Sequence, residues 1–384
     1  MRRFLHRAFP LALALAVVAN SAGAAHSTRA VSEYGVLQQF EPRSTTTWWA
    51  IVNSNLNPKT WVARTTDSGR HWETLTTPVP LVASASFVGL DAGWIEADSA
   101  HPGAKGAPGT EPVYRTLDGG QSWQPLGHVR SDCKLDFVDR RHGWCIGIGA
   151  AMGSSAVWLY RTGDGGSTWR LVSRTGVAGK GSTRGALPYA CNKTIDFTSP
   201  RIGWAAQSCN GGRPRVYTTT NGGARWRALA IPRLPKGAPT ASAGEGISLP
   251  AVRGSRLAVS VVLVGAPNLT NVIATSTNRG RRWRSRLAPG NPRYGPVDLI
   301  DTRHFVLSNG TTLLRTNDAG QHWYSLGASK RFLRTLGTPL TPDFVSPRLG
   351  FVIPTGTGRP IWWTRNGGSA WQKLTITAGP FTLG

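Results

Sequence analysis

The sequence predicts an all-β chain, a seven-bladed β-propeller of four-stranded antiparallel blades. Three observations predict it. One eight-residue phrase occurs seven times, its copies 40 to 57 residues apart. A second phrase, two aromatics seven residues apart around a polar turn, precedes it in most copies. The composition, with 46 Gly, 26 Pro and 16 Trp but only 16% charged residues, suits short strands and tight turns and leaves little to build helices from. With 40% hydrophobic residues the chain is also too apolar for a disordered one.

The first 24 residues read as an address. Arg2, Arg3 and Arg7 precede a short apolar run from Phe9 to Val18, and Ala22-Gly23-Ala24 offers a small-residue cleavage site. No Cys follows that site, which argues against a bacterial lipid anchor, and no apolar run reaches the length of a membrane-spanning helix. We therefore expect residues 1–24 to be a secretory signal peptide and residues 25–384 to form a single propeller, exported to the periplasm or beyond the cell.

The repeated phrase reads TTDSGRHW to Trp72, TLDGGQSW to Trp123, TGDGGSTW to Trp169, TTNGGARW to Trp226, STNRGRRW to Trp283, TNDAGQHW to Trp323 and TRNGGSAW to Trp371. Its pattern is Ser/Thr-x-Asp/Asn-x-Gly-x-x-Trp, and each part has a job in a hairpin turn. The Asp or Asn oxygen accepts backbone N–H groups just ahead of it. Gly supplies a positive φ. The hydroxyl ties the turn from its other side, and the Trp begins the returning strand and buries its ring between neighbouring sheets. Asp67, Asp118, Asp164 and Asp318 are then structural. Asn221, Asn278 and Asn366 agree, because Asn keeps the acceptor oxygen but is no base at neutral pH.

The second phrase places Phe87 before Trp94, Phe137 before Trp144, Phe197 before Trp204 and Phe344 before Phe351, with Gly directly ahead of the second aromatic. That is strand, tight turn, strand. Repeat one is looser, with Phe40 ahead of Trp48 and Trp49, and repeats five and six lose the aromatic pair. Each repeat thus supplies four strands: a ends at the Phe, b starts at the Gly-aromatic, c runs into the Asp/Asn turn and d leaves from its Trp. One such sheet has two faces to bury, and a closed ring buries both.

These phrases resemble the Asp-box, or BNR, repeat. Together they are similar to the seven-bladed propellers of the photosystem II stability and assembly factor family, and more distantly to sialidase-like and sortilin-type propellers. The resemblance covers nearly all of the chain beyond the signal. It implies the fold; it implies function less narrowly, because Asp boxes also occur in sialidases, xyloglucan hydrolases and receptors.

Export brings the four cysteines into an oxidising compartment. Cys133 and Cys145 flank the a–b turn of blade three, and Cys191 and Cys209 flank that of blade four. Antiparallel pairing predicts Cys133–Cys145 and Cys191–Cys209, with buried free thiols as the alternative. Their spacings lack a zinc pattern, and the eight histidines show no metal-ligand spacing. We expect no metal and no cofactor.

In such a meander the a–b and c–d turns share one end of the blade. The long connections 97–113, 174–191, 231–247, 264–271 and 327–341 fall at the other, where we place the functional surface. Two features mark it. Asp136, Asp196, Asp298 and Asp343 stand before the last strand-a residue and form a candidate ring near the channel, holding a cation or arginines, or else pairing with backbone N–H groups. The loops also carry Lys105, Arg174, Lys180, Arg184, Arg213, Arg215, Arg233, Lys236, Lys330, Arg331 and Arg334.

The net charge of +25 points to an acidic envelope component or an acidic protein surface and, for an exported chain, away from nucleic acid. Because Arg140, Arg141, Arg201, Arg279, Arg281 and Arg282 lie at the turn end, we read the charge as general surface character. A sialidase needs an arginine cluster and a Tyr–Glu pair, and none of the six Glu stands in such a phrase. We expect a monomeric, non-catalytic scaffold or assembly-factor-like module without catalytic residues. The alternative is a secreted glycoside hydrolase of sialidase-like or xyloglucanase-like type, for which Asp98, Glu111 and Glu245 are the loop-end acids available.

Overall fold

Seven consecutive four-stranded meanders make up a computed structural model, each built from one unbroken stretch of chain. It describes residues 33–383 except 99–108, 131–132, 152–153, 177–179, 190–191, 209–213, 231, 239–243, 265–268, 290–296, 310, 331–332, 334–339 and 355–359, so the signal segment lies outside the described residues. Blade 1 is β1 (Gly35–Pro42), β2 (Trp48–Ser54), β3 (Thr60–Thr65) and β4 (Glu73–Leu75). Blade 2 is β5 (Val82–Val88), β6 (Ala92–Ala97), β7 (Thr110–Thr116) and β8 (Gln124–Arg130). Blade 3 is β9 (Cys133–Phe137), β10 (Gly143–Ala151), β11 (Ser154–Thr162) and β12 (Arg170–Arg174), and blade 4 is β13 (Asn192–Phe197), β14 (Gly203–Ser208), β15 (Arg215–Thr219) and β16 (Arg227–Ala228). Blade 5 splits its innermost strand into β17 (Gly244–Ile247) and β18 (Ala251–Arg253), both paired with β19 (Arg256–Val264), and continues through β20 (Leu269–Ser276) and β21 (Arg284–Leu287). Pro250 sits at the split, where a missing N–H interrupts the ladder. Blade 6 is β22 (Asp298–Leu299), β23 (Phe305–Ser308), β24 (Leu313–Thr316) and β25 (Tyr324–Leu326). Blade 7 is β26 (Leu340–Phe344), β27 (Gly350–Pro354), β28 (Ile361–Thr364) and β29 (Gln372–Leu374).

The core lies between blades. Seven apolar clusters each join one blade to the next, and one of them joins blade 7 to blade 1, through Phe351 and Trp363 against Phe40 and Trp48. The ring is closed. Each turn Trp, Trp72 to Trp371, packs half-buried into the interface with the preceding blade.

The second phrase acts across an interface as well as within a hairpin. Phe137 stands opposite Gly143 in its own blade but stacks on Trp94 of blade 2, with centroids 3.7 Å apart and planes within 3°. Phe197 stacks likewise on Trp144 of blade 3 at 3.6 Å, and Phe87 on Trp49 at 4.1 Å. The conserved spacing of Gly in the phrase follows from this. The Phe ring crosses its opposite Gly to reach the neighbouring Trp, and a Cβ on Gly143 would lie 2.5 Å from the Phe137 ring. The indole N–H groups complete the contact: Trp94 Nε1 donates to the Gly165 carbonyl at 2.8 Å and Trp144 Nε1 to that of Gly222 at 3.0 Å.

A C-terminal hairpin, β30 (Ile376–Ala378) and β31 (Phe381–Leu383), had no signal among the repeats. It follows blade 7 and packs Ala378 and Phe381 on Val52 and Ala63 of blade 1, with the Phe381 ring against Trp61. The Gly379 N–H donates to the Thr74 hydroxyl at 2.9 Å. The hairpin therefore clasps the last blade to the first.

Cys133 and Cys145 form a disulfide with Cα atoms 5.3 Å apart. Cys133 pairs with Gly147 and Cys145 with Leu135, so the sulfurs meet diagonally across one sheet face. Cys191 and Cys209 lie outside the described residues.

Two outcomes follow. Trp144→Ala should lower stability by about 3–5 kcal/mol in urea denaturation, since it empties a buried stack and leaves the Gly222 carbonyl without its indole donor. Non-reducing peptide mapping should join Cys133 to Cys145 and Cys191 to Cys209, and reduction should cost roughly 2–3 kcal/mol per bridge; a peptide joining Cys145 to Cys191 would overturn the assignment.

Candidate functional site

The turn end is built from one repeated network. In blade 3 the Thr162 hydroxyl donates to Asp164 Oδ1 at 2.7 Å and accepts the N–H groups of Asp164 and Gly166 at 3.3 and 2.9 Å. The same Oδ1 accepts the Thr168 N–H at 3.0 Å. These four bonds recur at Asp67, Asp118, Asn221, Asn278, Asp318 and Asn366. The residue after the acid is left-handed in all seven copies, although three of them place Ser68, Arg279 and Ala319 there. Its N–H reaches the a–b turn of the same blade, as in Gly165 to the Arg141 carbonyl and Arg279 to that of Ser255, both 2.8 Å.

The second carboxylate oxygen explains which copies are Asp. Asp67 and Asp318 meet the Nδ1 of His71 and His322 at 2.5 and 2.6 Å, and Asp118 and Asp164 accept the hydroxyls of Ser122 and Thr168 at 2.5 Å. In the three Asn copies that position holds Arg225, Arg282 or Ala370. Partial desolvation pushes the Asp164 carboxyl up, but the Thr168 hydroxyl and N–H and the Thr162 hydroxyl outweigh it and bring it down to about 2. Asp67 is lowered first by the His71 N–H and Asp118 first by the Ser122 hydroxyl. Such groups stay ionised at neutral pH and neither give nor take a proton.

The four ring acids stand beside the a–b turns, at the turn end and not at the loop end where the sequence reading put them, because each is the next-to-last residue of its innermost strand. Asp136 and Asp298 hold blades together. Asp136 Oδ2 accepts the Phe197 N–H of the next blade at 3.1 Å, and Asp298 Oδ2 accepts the Phe344 N–H at 2.6 Å. In blades 1 and 2 the same task falls to Glu41, bonded to the Phe87 N–H at 3.3 Å, and to Ser86, bonded to the Phe137 N–H at 2.9 Å. Asp136, Asp196 and Asp298 are buried, and Asp343 is half-buried. Glu41 also pairs with the buried Arg43. Backbone pairing between blades is thus the alternative that Asp136 and Asp298 take with one oxygen each.

At the loop end, Asp98 is half-buried and Glu111 is buried; the side chain of Glu245 is not among those described. Near this end, two further buried charges, Glu96 and Lys193, lay outside the sequence-based candidates. Glu96 is fully buried opposite Val113, and strand alternation puts it on the same sheet face as Glu111, toward blade 3. Lys193 is buried on the innermost strand of blade 4, where desolvation lowers its ammonium to about 8. The period of two carried a signal for each, since Glu96 follows Trp94 by two residues and Lys193 precedes Phe197 by four. Among the described residues, no three metal-ligating side chains converge.

Of the basic loop residues, Arg174, Lys180, Arg184, Arg215, Arg233, Lys236 and Lys330 are exposed, while Lys105, Arg213, Arg331 and Arg334 lie outside the described residues. The connection 174–191 does not stay at the loop end. Its Gly185 carbonyl accepts the Trp226 N–H at 2.8 Å, which carries Arg184 down to the turn end of blade 4.

Lowering the pH tests the turn. A folded-state value depressed from 3.8 to about 2 contributes stability that is complete above pH 4 and is lost as pH falls toward 2. Asp164→Asn should lower the melting temperature at pH 7 and flatten its fall between about pH 4 and pH 2, read by thermal melts across that range; an unchanged acid limb would refute the assignment.

No family model matches the chain, and no curated protein does. Solved structures do. YCF48 from Cyanidioschyzon merolae is similar over 90% of this chain and 97% of its own, at 15% identity and a TM-score of 0.50. A structure of YCF48 bound to a D1 peptide covers 84% and 88% at 18% identity and 0.49. The GH74 xyloglucanase from Xanthomonas campestris matches 89% of this chain at 15% identity and 0.53, and this chain spans about half the length of that enzyme, 54%. At these identities the likeness is one of fold.

Proposed function

We propose that this chain is an exported, non-catalytic propeller that binds a protein partner at its loop end, a scaffold or assembly-factor-like module of the kind its resemblance to the photosystem II assembly family implies. The observation that carries the reading is how the carboxylates are used. The acids of the repeat are bound into turns, and Glu41, Asp136 and Asp298 hold N–H groups of the next blade. Shape adds support. The β10–β11 and β19–β20 hairpins run long toward the loop end on either side of blade 4. Between Ile146 and Tyr160, and between Leu257 and Asn278, the chain has no charged residue despite its overall +25. Uncharged projections suit the core of a protein interface. Export is supported by the disulfide; among the described residues no helix is long and apolar enough to cross a membrane. An acidic envelope component and a monomeric state belong to the same proposal.

One observation favours the hydrolase reading: Glu96 and Glu111 share a buried face at the loop end. The two readings separate in one experiment. The immobilised protein should retain a specific protein from an envelope extract, and Ile148→Asp, on the exposed flank of β10, should release it. Turnover of aryl glycosides or sialosides that is lost in Glu96→Gln or Glu111→Gln would defeat the binding reading.

A further inference from the structure

The positive charge is not spread evenly around the ring. From Phe197 to Val297 the chain carries fifteen Lys and Arg against one acid, Glu245, and fourteen of the fifteen are Arg. The turn end of blade 5 concentrates them. Arg253 and Arg256 stand directly opposite each other across the a–b turn, and Arg279, Arg281 and Arg282 occupy the Asp/Asn turn beside it. The bond from the Arg279 N–H to the Ser255 carbonyl locks the two turns together. Arg225 extends the patch onto blade 4. All six are exposed, and none makes an ion pair with a described residue.

In blades 3 and 6 acids accompany the arginines at the same positions. Arg140 of blade 3 pairs with Asp91 of blade 2, and Asp301 and Asp318 accompany Arg303 in blade 6. Blades 4 and 5 instead have Asn221 and Asn278 in their turns, and Ser199 and Ser255 in the a–b turns. Blade 7 shares the Asn and the Ser, at Asn366 and Ser346, but carries only Arg348 and Arg365 in those turns. The arrangement costs the fold something. Like charges opposed across a ladder repel, and Arg279 takes a φ of 58°, which side chains larger than Gly adopt reluctantly.

We propose that the turn end of blades 4 and 5 docks on an anionic lipid surface. Guanidinium groups match phosphate oxygens in a planar, two-pronged geometry that ammonium groups do not. The arginines stand on tight turns at the end of two adjacent blades, a projecting edge that suits an extended plane of headgroups. Ile202, 41% exposed beside Arg201, adds an aliphatic tip on the same edge. The charge acts collectively, as clustered basic residues do near acidic bilayers. This surface lies opposite the loop end and does not rest on the partner reading above; it would leave that end facing away from the bilayer.

Vesicle sedimentation tests it with the full mature chain. Binding to phosphatidylcholine vesicles containing roughly 30 mol% phosphatidylglycerol should exceed binding to pure phosphatidylcholine by about tenfold or more, and should vanish near 1 M salt, where the screening length falls to about 3 Å. The triple substitution Arg279→Gln, Arg281→Gln, Arg282→Gln should abolish most of that preference. So should Arg253→Gln with Arg256→Gln, which relieves a repulsion and should melt no lower than the wild type. A matched loss of charge at the loop end, Arg233→Gln, Lys236→Gln and Lys330→Gln, should leave binding within about twofold. Equal loss from that control would show general charge and overturn the proposal. So would failure to bind acidic vesicles, including a result in which only an acidic polysaccharide or a protein is retained.

Discussion

What the structure depends on is the contact each blade makes with the blade before it. A four-stranded sheet of this size has two apolar faces and no way to bury them alone. Here a Phe at the end of the innermost strand stacks on the preceding blade's Trp, and the backbone N–H of that Phe is accepted by a side chain of the preceding blade. Stack and hydrogen bond act on the same residue, so they fix both the spacing of the blades and their register along the axis. Where the aromatic pair is lost, as in blades 5 and 6, aliphatic clusters fill the interface. Seven interfaces close the ring, and the hairpin β30–β31 covers the flank of blade 1 where the last blade meets the first.

This economy decides where chemistry is available. A buried carboxylate that accepts an N–H from the next blade is a structural acceptor, and removing it leaves a buried donor unsatisfied. A turn carboxylate with a hydroxyl or imidazole on one oxygen and backbone N–H groups on the other is held ionised far below neutral pH. Both uses withdraw acids from catalysis while strengthening the scaffold. What the scaffold does not consume is the long hairpins at one end and, at the other, guanidinium groups that make no ion pair among the described residues.

Much of this was legible from spacing. The repeated phrase fixed the blade number, the strand order and the hydroxyl–carboxylate turn, and the positions of Cys133 and Cys145 around a hairpin predicted their bridge. Other features left weaker traces. The second phrase read as strand, turn, strand, but a spacing of seven shows the turn and not the neighbouring sheet, so the stacks of Phe87 on Trp49, Phe137 on Trp94 and Phe197 on Trp144 were not visible in it. The left-handed residue after the acid was hidden by Ser68, Arg279 and Ala319, which stand where four copies have Gly. The clasp β30–β31 belongs to no repeat, so nothing in the period announced it. Glu96 and Lys193 were readable from strand alternation, yet charge alone suggested solvent for both.

The choice between Asp and Asn in the turns joins these threads. All seven copies need one acceptor oxygen, and either residue supplies it. The copies with Asp have a hydroxyl or imidazole four residues on, which gives the second oxygen a partner; the copies with Asn have Arg225, Arg282 or Ala370 there. Fold stability is therefore indifferent to the exchange only where that donor is absent. In blades 4 and 5 the exchange has a second effect, because it removes the one anion that would sit beside the arginines. A turn selected for structure alone has no reason to pair Asn with Arg279, Arg281 and Arg282, to place Arg in a left-handed position and to oppose Arg253 to Arg256. Taken together, these choices maintain a local field of one sign at a fixed place on a rigid ring, which is the requirement for attracting an acidic surface in one orientation.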